Sequence, residues 1–76
     1  MTHRNSHTII RTFFDKHGHL ESRATGVVGG TYEDAYHHYQ GIVAACTQRP
    51  RVVGVILIDH EEVVLAEWNA NVKEAA

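Results

Sequence analysis

An α+β domain, built as a four-stranded antiparallel sheet with one helix packed on one face, is the fold class this sequence predicts. Three observations predict it. Residues rich in β-branched and aromatic side chains flank a turn signal near the start of the chain and again near its end. Between these two hairpins, one stretch repeats apolar residues at helical spacings of three and four. The run VVGVILI, residues 52–58, is continuously apolar, β-branched and short, as a central strand is.

Each element follows in order. Residues 7–14, HTIIRTFF, form the first strand. Asp15-Lys16-His17-Gly18 is a type I turn in which Gly18 supplies a positive φ. Residues 19–28 return as a more polar second strand, with Leu20, Ser22, Ala24 and Gly26 alternating with Glu21, Arg23, Thr25 and Val27. Gly29-Gly30 ends it. Thr31 is an N-cap whose hydroxyl accepts from the backbone N–H of Asp34, with Glu33 and Asp34 on the positive end of the helix dipole. The helix runs from Tyr32 to about Thr47 or Gln48 and presents Tyr32, Ala35, Tyr36, Tyr39, Ile42, Val43 and Cys46 as an apolar stripe. Gly41 interrupts it, at about 1 kcal/mol relative to alanine, where close approach to the sheet would require a glycine. Pro50 stops it. After the third strand, buried on both faces, Asp59-His60-Glu61-Glu62 turns the chain and residues 63–68 make the fourth strand. The whole chain, 1–76, is then one ββαββ domain with residues 1–6 and 69–76 as flexible tails.

Strand directions fix the sheet order. A single helix between the hairpins makes strands two and three parallel, so an all-antiparallel sheet places strand one beside strand three. The order is 2-1-3-4, with the polar second strand at an edge where it guards against unwanted pairing.

One helix covers one face of such a sheet. Yet Ile9-Ile10, Phe13-Phe14 and Val63-Val64 are apolar doublets with a member on each side, and the third strand is apolar throughout. An uncovered apolar face is rare on a soluble monomer, and small chains complete their cores by oligomerising. The expectation is a homodimer, with Ile9, Phe13, Val53, Val55, Leu57, Val63 and Leu65 at its interface.

Composition limits the chemistry. The single cysteine, Cys46, precludes an intrachain disulfide framework, and the chain has no apolar run of membrane-spanning length and no signal-peptide h-region. A cytoplasmic protein is expected, with no membrane partner. The net charge of −2 argues against a general polyanion binder. Its distribution is uneven: up to Arg51 there are six Lys/Arg against four Asp/Glu, and from Val52 onward only Lys73 faces five acids. An acidic surface there would steer a basic partner toward it.

Four constellations carry possible chemistry. His17 and His19 sit two apart and could share a metal, and Asp59-His60-Glu61 offers a similar mixture, but the two turns lie at opposite ends of the sheet. Glu33 and His37, and Asp34 and His38, are i,i+4 neighbours on the helix surface. The glycine-rich Gly26–Thr31 turn could cradle phosphate, yet Glu33 and Asp34 already occupy that helix end. Arg4, Arg11, Arg23, Arg49 and Arg51 with nearby aromatics suggest a nucleic-acid face, without any ribonucleoprotein motif. Cys46 falls on the apolar stripe, and no nucleophile elbow or carboxylate pair marks an active site. No enzymatic activity and no cofactor are expected.

In size, acidity and lack of catalytic residues the chain resembles the small single-domain antagonists encoded by phages and mobile elements, anti-CRISPR proteins among them. That resemblance implies a non-enzymatic inhibitor or adaptor, acting in the host cell cytoplasm, that binds a larger protein or ribonucleoprotein. The contact residues expected are Asp59, His60, Glu61, Glu62 and Glu67 of the last hairpin, and Glu33, His37 and His38 of the helix. The alternatives are a small-ligand or divalent-metal-binding domain using the histidines and the glycine turn, and a nucleic-acid-binding domain.

Overall fold

The computed structural model describes residues 6–70, which form β1 (Ser6–Phe14), β2 (Leu20–Gly29), α1 (Tyr32–Cys46), β3 (Val52–Ile58) and β4 (Val64–Asn69). The strands make one antiparallel sheet in the order β2-β1-β3-β4, as the strand directions require. Ser6 and Asn69, expected in the tails, belong to strands. Ala70 is also tied down, its N–H donating to the Val53 carbonyl at 2.9 Å. The rest of both expected tails lies outside the described residues.

Thr31 starts the helix with φ −85° and ψ 163°, and its Oγ1 accepts from the Asp34 N–H at 3.2 Å. Gly30, at φ +108°, makes the sharp entry, and a Cβ there would lie 3.2 Å from the Asp34 carboxylate. At the other end the Thr47 N–H donates to the Val43 carbonyl before Pro50 turns the chain away. Fifteen residues rise ~22 Å, close to the ~23 Å of a seven-residue strand. The helix therefore crosses from the end of the sheet where β2 finishes to the end where β3 begins.

Pairing assigns the faces, because residues directly opposite each other share one. The helix covers the rows Gly26–Ile9–Leu57–Ala66 and Arg23–Arg11–Val55–Trp68. Ile9, Val55 and Leu57 are fully buried there against Ala35, Tyr39 and Cys46, and each contributes roughly 1.5–3 kcal/mol. His7, opposite Val28 on this face, is 5% exposed, and its Nδ1 has no hydrogen-bond partner.

The opposite face carries the rows Val27–Thr8–Ile58–Val64, Ala24–Ile10–Ile56–Glu67 and Ser22–Thr12–Gly54–Asn69. A hydrogen bond of 2.9 Å between the Thr12 and Ser22 hydroxyls fixes the last row. Nothing covers this face among the described residues. The third strand is central, as expected, but not buried on both faces: Ile56 and Ile58 are only half-buried.

Three register irregularities shape the sheet. Thr25, Val53 and Leu65 are each passed over where the neighbouring pairs skip a residue. At Thr25 the alternation of β2 inverts, so Glu21 and Arg23 share the helix face with Gly26 and Val28 rather than with Val27. The expected alternation through the whole strand is corrected accordingly. The reason offered for Gly41 is also corrected: it is exposed, and a Cβ on it would meet nothing within 4 Å.

Candidate functional site

Two hairpin turns and the two helix ends divide the charged residues between opposite ends of the molecule. Asp59 organises the β3–β4 turn, its Oδ1 accepting from the N–H groups of Glu61 at 2.8 Å and Val63 at 2.9 Å. These bonds, the Val63 one foremost, hold its carboxyl below the usual 3.8. Asp59 is thus a turn-former rather than a free contact residue. His60, Glu61 and Glu62 project beside it, exposed, with His60 Nε2 3.7 Å from a Glu61 carboxylate oxygen.

The helix starts at this same end of the sheet, since β2 finishes opposite Ser6 and β3 finishes opposite Thr8. Glu33 and Asp34 of its first turn thereby join Asp59, Glu61 and Glu62 in an acidic end. The other expected contact residues stand elsewhere. His37 and His38 are exposed in the middle of α1, and Glu67 is on the open sheet face, hydrogen-bonded to the Asn69 amide at 3.3 Å. Neither Glu33–His37 nor Asp34–His38 forms an ion pair; the pairs among the described residues are Asp15–His19, Glu21–Arg23 and Glu61–His60.

The expected dimer residues are redistributed. Ile9, Val55 and Leu57 lie under the helix with no exposure, and Phe13 packs against the same core. Ile9, Val55 and Leu57 cannot meet another molecule without unfolding this one. Val53 and Leu65 are the residues passed over in their strands, and Val63 belongs to the turn. The side chains that do form the open face are the sequence neighbours of the predicted ones: Ile10, Ile56, Ile58 and Val64, with Val27, Leu20 and Phe14 toward the edge. Among the described residues, its one charged group is Glu67.

At the far end, the first hairpin, β2 and the α1–β3 loop border an open cleft of ≈ 680 Å³. Arg11, Lys16, Arg23, Arg49 and Arg51 line it, which is every Lys and Arg among the described residues. Four of these arginines belong to the face expected of the alternative nucleic-acid-binding reading; Arg4 lies outside the described residues. The missing signal was the hairpin register, which places Arg11 directly opposite Arg23. Asp15 plays the role here that Asp59 plays at the acidic end, its Oδ1 accepting from the N–H groups of His17 and His19, both at 2.8 Å. The His19 bond is the main cause that lowers its carboxyl from 3.8.

The His17 and His19 rings stand 6.3 Å apart and tilted. Among the described residues, no three His, Cys, Asp or Glu side chains gather as a metal site, and no helix is long and apolar enough to cross a membrane. The glycine turn does not present an open cradle, because the Asp34 carboxylate lies against Gly30. The chain matches no protein-family model, no curated protein and no solved structure.

Proposed function

We propose that this chain is a non-enzymatic interaction module that pairs with a second copy through its open sheet face and engages a larger macromolecule, as an inhibitor or adaptor, through its acidic end. The uncovered centre of the face, Ile10, Ile56 and Ile58, carries the reading. Apolar surface in a contiguous patch is the usual mark of an interface. A second copy is the occupant that suits it, because a face with a single carboxylate near the β4 edge meets no like charge at its centre when it packs on itself.

The non-enzymatic part rests on where the candidate groups stand. Cys46 is buried in the core, and His37, His38 and His60 are exposed on the surface. A lone buried thiol suits the reducing cytoplasm. The acidic end gives a basic partner surface its electrostatic complement.

Sedimentation velocity tests the pairing. The wild-type chain should sediment as a dimer, and Ile10→Lys or Ile56→Lys should sediment as a folded monomer with unchanged far-ultraviolet circular dichroism. A wild-type chain that stays monomeric at about 100 μM, a concentration that would populate even a weak dimer, would discard the reading. Glu61→Lys with Glu62→Lys then tests the acidic end without disturbing the Asp59 turn: capture of the partner should be lost while the dimer persists.

A further inference from the structure

We propose that the cleft at the basic end is an anion site that takes the phosphates of a nucleotide or of a short single strand, with Arg11 and Arg23 as its floor. This goes beyond the interaction reading above and uses the other face of the sheet.

Like charges placed directly opposite on neighbouring strands destabilise the pair, yet Arg11 and Arg23 face each other across β1 and β2. Both guanidinium groups lie over the one Phe13 ring, at 4.8 Å and 6.0 Å from its centroid, which holds them side by side. Arg11 has no carboxylate partner among the described residues, and its Nε is buried with no acceptor. A buried donor left unmade is costly, so Arg11 is held in this place without a protein group that answers its charge.

Lys16, Arg49 and Arg51 line the cleft with Arg11 and Arg23. Against these five cations the lining holds two carboxylates, Asp15 and Glu21, an excess of three positive charges. Asp15 is engaged by its turn and Glu21 pairs with Arg23 at 3.6 Å, while Glu21 and Arg51 also act on Asp15. The negative end of the α1 dipole adds about half a charge, too little to balance the remainder.

The ligand class follows from the donors and the space. A guanidinium offers a planar fork that matches phosphate oxygens in pairs. The ≈ 680 Å³ of the cleft falls in the range of about 300–1,000 Å³ that holds small ligands.

Titration calorimetry in low salt, with adenosine diphosphate and separately with a short oligothymidylate, tests this. At least one should bind, with affinity falling as salt rises. Arg11→Gln with Arg23→Gln should weaken that binding by about tenfold or more, with a melting temperature equal to or above wild type because the opposed charges are gone. Arg49→Gln with Arg51→Gln, on the loop, should weaken it too and serves if the first variant misfolds. Binding of the nucleotide alone, or of the strand alone, supports the site and identifies the source of the phosphate. Silence from both at about 1 mM ligand, binding untouched by either variant, or binding of a glutamate-rich peptide in their place would overturn it.

Discussion

Gly18 and Glu62 occupy the same position in two equivalent hairpin turns, with φ of +83° and +66°. In each turn an aspartate carbonyl accepts from that residue's N–H, Asp15 from Gly18 at 3.0 Å and Asp59 from Glu62 at 2.9 Å. In each, the aspartate N–H then donates to the carbonyl of the following residue, His19 or Val63. This is a three-residue hairpin loop in which a type I turn is closed by one left-handed residue. Glycine accepts that conformation freely, and glutamate adopts it under strain.

The two turns should therefore respond in opposite senses. Gly18→Ala should destabilise the fold by about 1–2 kcal/mol. Glu62→Gly should stabilise it by up to about 1 kcal/mol, the relief of strain being partly offset by the freer unfolded chain. Thermal melts would show it as shifts of ~4–8 °C per kcal/mol in a domain this small, and a fall in melting temperature for Glu62→Gly would refute the equivalence.

Asp15 and Asp59 should make stability depend on acid. Both carboxyls sit below 3.8 in the folded chain, held down chiefly by the His19 and Val63 backbone N–H groups. A depressed carboxylate contributes its stability fully above the unfolded value and loses it as pH falls through the folded one. The urea midpoint should accordingly decline as pH drops below about 4. In Asp15→Asn with Asp59→Asn, where the amide oxygen can still accept but does not titrate, that decline should be shallower. Superimposable curves for the two proteins would rule out this source.

Gly41→Ala should raise stability by about 1 kcal/mol, the helix-propensity difference at an exposed site. The space for a methyl group is open there, and the residue faces away from the sheet. Equilibrium urea unfolding measures it. A loss of stability would mean that the helix approaches something at Gly41 after all.

Leu57 and Ile56 are adjacent in sequence and opposite in consequence. Leu57→Ala opens the core under α1 and should cost about 2–5 kcal/mol at any protein concentration. Ile56→Ala removes a side chain from the open face, so its cost should be about 1 kcal/mol in dilute solution and should grow with concentration if copies pair there. Equal, concentration-independent costs would contradict the division of faces.

Much of this was legible beforehand because its causes are local. Thr31 with Asp34 marks a cap, Pro50 marks a stop, and the β-branched residues of VVGVILI mark a strand. The number of helices between the hairpins then orders the strands without any knowledge of packing. The charge partition was half visible: the acids of the last hairpin stand out, but the union of Glu33 with the Asp59 turn needs the helix and the sheet to end together. The basic cleft was scattered across four segments, and only strand register brings Arg11 onto Arg23.

The sequence by itself determined the elements, their boundaries to within a residue or two and the order 2-1-3-4, since turns, caps and strand directions depend on neighbours along the chain. The tertiary structure alone decided which side of the sheet the helix takes. Ile9-Ile10 and Val55-Ile56-Leu57 are apolar on both sides, so alternation is silent about which members are buried, and the residues skipped at Thr25, Val53 and Leu65 invert it locally. Packing of Ala35, Tyr39 and Cys46 on Ile9, Val55 and Leu57 made the choice, and the face bearing Ile10 and Ile56 was left open as its physical remainder.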